Sequence, residues 1–339
     1  MSQMASRAVP TSPEEPPAAP PVATTGLPPA VAPAASPAAA PLAAPLAIDG
    51  PARRHVPWAG IGYAMVVVAL FSSFVLVSRL GLSTSLALPD IAALRFGIGG
   101  LMLLPVLLRS GIGGLTAAQA LLLAVTGGLG FALCAYAGFA LAPAAHGAVL
   151  LHGTLALTTA LLLWLTGRIA PPRGQRIGLA IIALGILSMA WSGIAGLSFH
   201  LLLGDFCLLL ASVCWSAYGI TVRRLGVPAV RAAAIVNVTS AVLFLPVYAF
   251  LPGRRLFDAG WHDLVLQGVF QGVLIGGLSI FVYTRAVALL GASRIAQATA
   301  AVPALTTIGG ALLLAEIPDL PSLAGIALVT IGVTTALRS

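Results

Sequence analysis

Ten apolar stretches, each close to 20 residues and separated by short joins rich in Gly, Pro and Arg, fill the chain from Trp58 to its end. A hydrocarbon core about 30 Å thick takes about 20 helical residues to cross, so ten such stretches in series read as ten spans. No water inside the bilayer can satisfy stray amide and carbonyl groups, and each span must therefore be helical. The expected spans are 58–80, 90–108, 117–141, 145–166, 176–196, 201–222, 229–251, 264–290, 293–314 and 321–337. The fold class that follows is an all-α membrane protein with ten transmembrane helices, its partner the lipid bilayer. Composition excludes the soluble alternatives: 59% of the 339 residues are apolar and 8% are charged, with no lysine, where a soluble domain carries roughly a quarter charged residues. The formal charge of +8 does not imply nucleic acid, because the arginines form short clusters between apolar runs rather than one basic stripe.

Residues 1–55 differ in kind. Thirteen of the 25 prolines fall between Pro10 and Pro51, and proline both removes a backbone donor and blocks helix interiors. The early residues carry Glu14 and Glu15 and no basic lead into an apolar core, unlike a secretory signal. The expectation is a disordered Pro/Ala-rich cytoplasmic tail. With that tail inside, twelve arginines fall at inner loops and helix ends, against three (Arg79, Arg254, Arg255) outside. The positive-inside bias then places both termini in the cytoplasm of a bacterial inner (plasma) membrane, as an even number of spans requires.

The chain also repeats itself. Phe71-Ser72-Ser73-Phe74 aligns with Trp215-Ser216-Ala217-Tyr218, Leu157-Thr158-Thr159 with Leu305-Thr306-Thr307, and Gly178 and Gly185 with Gly325 and Gly332, at offsets of 144, 148 and 147 residues. The expected halves are 56–199 and 200–339, five spans each. Five is odd, so the second half must run upside down relative to the first: two inverted repeats of five, an architecture of secondary transporters with the binding site at the repeat interface.

Several motifs carry a family resemblance. They are Ala93-Leu94-Arg95-Phe96 in the second span, Gly204-Asp205 and Trp215-Ser216-Ala217-Tyr218 with Arg223-Arg224 in the sixth, and Tyr283 to Ala286 followed by Gly291-Ala292-Ser293-Arg294. In this order the sequence resembles the EamA-type transporters of the drug/metabolite transporter superfamily. The resemblance implies ten helices in two inverted halves and export of amino acids, metabolites or drugs. The chain departs from that pattern at Phe71-Ser72, where Trp-Gly is usual, and at Gly167-Arg168 and Ala315-Glu316, where Gly-Glu is common.

Candidate substrate-binding residues are few because intramembrane polar groups are few. His152 is a titratable side chain roughly 10 Å into the fourth span by helical rise, suited to a substrate hydrogen bond or to proton coupling. Arg95, within the second span, offers a fixed positive charge that is costly in lipid unless it pairs or meets water. Phe74, Tyr218, Trp215, Tyr136 and Tyr283 offer aromatic walls with oriented hydroxyls, and Gln297 offers a neutral donor and acceptor. All six carboxylates of the membrane region fall near outer helix ends or loops. His146 and His152 lie six apart, about 120° apart around an α-helix, which is poor spacing for a shared metal; no metal, catalytic residue or cofactor is expected. Cys207 and Cys214, seven apart on one helix, cannot reach each other for a disulfide.

The reading is a secondary transporter, an exporter of small metabolites, amino acids or amphipathic compounds by alternating access, with a small-molecule substrate as its partner; oligomeric state is not legible. The alternatives are a membrane-embedded enzyme or a passive channel. Against the enzyme, Arg294 stands where an intramembrane serine protease loop after Ser293 needs glycine, and no histidine follows in the next span as its base. Against the channel, there is no ring of charges and no carbonyl filter.

Overall fold

The computed structural model describes residues 58–167 and 169–338. The expected tail, with Arg53 and Arg54, and the loop residue Arg168 lie outside the described residues. Ten helices long and apolar enough to cross a bilayer follow one another, and no strand occurs among the described residues. They are α1 (Trp58–Leu82), α2 (Leu88–Ser110), α3 (Ala117–Leu141), α4 (Ala144–Gly167), α5 (Arg173–Ala195), α6 (Phe199–Leu225), α7 (Ala229–Phe250), α8 (Trp261–Leu290), α9 and α10 (Leu320–Arg338). Helix α9 comes in two pieces, Ala292–Thr299 and Val302–Leu313, with Pro303 at the start of the second. The break lies where proline cannot donate to the preceding turn.

The limits of the helices have local causes. Thr116 caps α3 by accepting from the Gln119 amide while Gln119 bonds back to the Thr116 N–H, a reciprocal pair that satisfies two orphan donors. Pro89 and Asp90 open α2, and the Asp90 carboxylate accepts from the Ala87 N–H. Gly226 closes α6 with a positive φ of 62°, a conformation that costs L side chains roughly 1–2 kcal/mol. Three helices contain a wider π turn: Val125–Leu129 in α3, Gly147–Gly153 in α4 and Gly268–Leu278 in α8. A π turn rotates everything after it relative to a regular helix, and such turns gather at functional sites.

Helix pairing follows a rule. The packed pairs include α3 with α6 and α1 with α8, α2 with α8 and α3 with α7, α4 with α6 and α1 with α9, and the self-matched pairs α2 with α7 and α5 with α10. Exchanging the first five helices for the last five turns this set into itself. The glycines matched by sequence meet across α5 and α10: a Cβ on Gly178 would lie 2.6 Å from Gly332 O, and one on Gly185 would lie 3.0 Å from Gly325 O. As numbers rise along α5 they fall along α10, so these two helices pack antiparallel and backbone to backbone, the close approach small residues permit in membranes.

Buried hydroxyls join α4 to α6. Thr158 Oγ1 lies 2.7 Å from Ser216 Oγ, Thr159 donates to Ser216 at 3.0 Å and Thr154 donates to Ser212 at 2.8 Å. Ser72 of α1 and Thr306 of α9, aligned by the repeat with Ser216 and Thr158, are equally buried, yet their hydroxyl oxygens have no hydrogen-bond partner.

Candidate functional site

A cavity of about 210 Å³ opens among α1, α2, α3 and α4 of the first half and α6, α7 and α8 of the second. It runs from Phe74, Arg95 and Phe131 to Arg223, Arg224 and Ala229 at the α6–α7 turn, the arginine-rich end of the bundle. Its wall is a chain of rings: Phe131 and Trp215 have centroids 4.7 Å apart, Trp215 and Tyr218 5.2 Å. Opposite, Phe71 stacks on His152 at 5.5 Å and on Tyr283 at 6.3 Å. The π turn of α4 carries His152, whose Nδ1 is buried without a partner. Arg95 lies at the deep end, about 10 Å along α2 from its start at 1.5 Å per residue. Its guanidinium sits 5.4 Å from the Phe74 centroid and 5.8 Å from that of Phe131.

Six of the eight residues expected at the site therefore line one cavity: Phe74, Arg95, His152, Trp215, Tyr218 and Tyr283. Tyr136 and Gln297 do not. Tyr136 is fully buried, and its hydroxyl donates to Gln271 Oε1 at 3.0 Å; Gln271 in turn donates to Ser78 Oγ at 2.9 Å. This polar chain ties α3, α8 and α1 together beneath the cavity floor. Gln297 is exposed on the short first piece of α9. Phe131, Arg223 and Arg224 also line the cavity, although none of them was expected there from the sequence. Phe131 gives no sequence signal, being one apolar residue among many on α3, whereas the Arg223-Arg224 pair closing a span could have been read as a charged mouth.

The opposite end is shut by three polar clusters. Arg79 donates through Nε to Glu316 Oε1 at 2.7 Å and through Nη1 to the Phe139 and Ala142 carbonyls, while Glu316 Oε2 accepts from the Ala144 N–H at 2.6 Å. These bonds gather α1, the α3–α4 turn and the end of α9. His146 donates from Nδ1 to Asp205 Oδ1 at 2.7 Å, and its Nε2 lies 3.0 Å from Ser322 Oγ. Tyr248 donates to Asp90 Oδ1 at 2.6 Å, and the Arg255 N–H reaches the same carboxylate. The carboxylates thus keep the positions along the helices that the sequence implies, but Asp90 and Asp205 are buried there rather than facing water. His146 has an acidic neighbour, Asp205, 59 residues away in sequence on another helix. The order Asp205–His146–Ser322 is that of a hydrolytic triad, yet all three are buried and none lines the cavity, so this cluster serves packing. Among the described residues no group of three metal-ligating side chains occurs.

Residues 202–338 match the EamA-like transporter family model. They form an EamA transporter domain. This EamA domain contains α6 to α10 nearly whole, and the described residues hold ten helices long and apolar enough to cross a membrane. The family is described as one of transporters. A solved structure titled "Crystal structure of protein" aligns with a TM-score of 0.56 and 18% identity, covering 82% of this chain and 96% of its own; a likeness at that identity speaks to the fold alone. Comparison with curated proteins gives no match.

Proposed function

We propose that this EamA-domain protein is a secondary carrier that exports small metabolites or amphipathic compounds from the cytoplasm of a bacterial cell by alternating access. The observation that carries the proposal is the asymmetry of the cavity: both halves line it, it reaches the arginine-rich end, and the other end is sealed by Arg79–Glu316 and its neighbours. On the positive-inside rule the arginine-rich end is cytoplasmic. A cavity reaching that side can load from the cytoplasm, the state in which an exporter takes up its cargo. The self-matching helix pairs and the antiparallel α5–α10 contact support two inverted halves, 56–199 and 200–339, rocking about a shared site. Aromatic walls with few polar groups suit a substrate with an apolar body.

The test is counterflow in proteoliposomes. A carrier preloaded with unlabelled substrate accumulates labelled substrate transiently and saturably; ohmic current without counterflow would make it a channel. Topology is checked by tagging Ala259 and the C-terminus, which should report opposite compartments.

A further inference from the structure

Resting on the carrier reading, the geometry points to a definite substrate class: an organic monoanion, a carboxylate on an apolar, ring-bearing body, with Arg95 as the anion anchor. Arg95 is 7% exposed, and its Nε and Nη1 are buried without a hydrogen-bond partner. Among the described residues no carboxylate forms an ion pair with it; its charged face meets the Phe74 and Phe131 rings, with the Tyr136 hydroxyl beside it. Cation–π contacts return about 0.5–2 kcal/mol, whereas taking an ion out of water costs several. A buried guanidinium bordering a cavity is therefore left in deficit, and an entering carboxylate can make it good with a charge-assisted bond.

The rest of the lining sets the sign. Arg95, Arg223 and Arg224 border the cavity and no Asp or Glu does. The carboxylates Asp90, Asp205 and Glu316 are already engaged at the sealed end: Asp90 by Tyr248, Asp205 through one oxygen by His146, and Glu316 by Arg79. A substrate ammonium would leave water and find no acceptor of opposite charge, so cations are excluded and zwitterions such as amino acids lose to plain acids. Arginines at the mouth raise the local concentration of anions. A cavity of about 210 Å³ has room for a small ring and its acid group. The ring chain Phe131–Trp215–Tyr218 supplies the stacking face.

The experiment compares four probes of one body on the full-length protein in nanodiscs: 3-phenylpropionate, 3-phenylpropionamide, phenylethylamine and phenylalanine, with affinity read from ligand-induced thermal shift. The expected order in the wild-type protein is acid first, amide at least tenfold weaker, and phenylalanine and the amine weaker still; this measurement needs no variant. Arg95→Gln should cost the acid at least tenfold and leave the amide within twofold, and Arg95→Lys should recover part of the acid's advantage. Amide equal to acid, a preference for the amine or phenylalanine, or no binding by any of the four overturns the proposal. Counterflow of the tightest binder in proteoliposomes separates this result from the carrier reading. Anion-selective binding without counterflow would sink the carrier and keep the site, whereas counterflow of the amine or phenylalanine would keep the carrier and sink the anion preference.

Discussion

Replacing Glu316 with Gln should tip the protein toward opening at its sealed end. Glu316 accepts from Arg79 on one oxygen and from the Ala144 N–H on the other, with both ion-pair side chains 21% exposed. The amide of Gln keeps one acceptor, so its NH2 must face either the guanidinium or the Ala144 N–H, donor against donor. A hydrogen bond to a charged group contributes about 1.5–3 kcal/mol, and partial exposure argues for the lower part of that range. A loss of about 1.5 kcal/mol in a contact that must part on opening raises the open population about tenfold. Spin labels at the exposed Ser85 and Ile317, in a background with the three native cysteines replaced, report the separation of α1 and α9 at this end. The long-distance fraction should grow about tenfold over the unsubstituted protein. A distance distribution unchanged by Glu316→Gln would refute the idea that this ion pair holds the gate.

Three further outcomes follow from the packing. Ala315 adopts a positive φ of 54° where the resembling family commonly has glycine; Ala315→Gly should raise stability by about 0.5–1 kcal/mol, the relieved strain less the greater freedom of the unfolded chain, and a lowered unfolding midpoint would count against it. Gly178→Ala would set a methyl 2.5 Å from the Ala336 amide nitrogen and 2.6 Å from Gly332 O; because backbone cannot step aside, a loss of about 1–3 kcal/mol is expected, measurable by denaturant titration in detergent. His152→Ala removes a ring stacked on Phe71 in the cavity and should cut vesicle transport well beyond any fall in expression, whereas unchanged transport at equal protein would remove His152 from the site.

What the sequence made legible was what depends on periodicity and local chemistry. Ten spans appear within a few residues of their observed limits because apolar length and proline placement decide them; α5 begins three residues earlier than expected and α8 starts at Trp261 rather than 264. The α5–α10 contact could be anticipated because a repeat of small residues at seven-residue spacing leaves little else for them to do. Side-chain partners were not legible, since Arg79 finds Glu316 237 residues away and Asp90 finds Tyr248 at 158, pairings that follow from tertiary contact alone. Tyr136 shows the other limit. It shares a depth with cavity residues, but it follows the π turn Val125–Leu129, and one extra residue in a turn swings the next side chains by about 100°. Depth alone therefore does not place it: five residues beyond the cavity residue Phe131, it lies about 140° round the helix.

The hydroxyl ladder between α4 and α6 has an idle twin. Where Thr158 and Ser216 are latched, their counterparts Thr306 and Ser72 stand unmated, like a ratchet with one pawl down and the other raised. A rocking step that brought the second couple together while releasing the first would trade one bond of the ladder for another; Thr154–Ser212 has no such counterpart, since the repeat sets Val302 and Val68 in their places. The two extremes of the stroke would then be offset by the rung that one side alone possesses, and a gradient or a cargo would have to supply that difference.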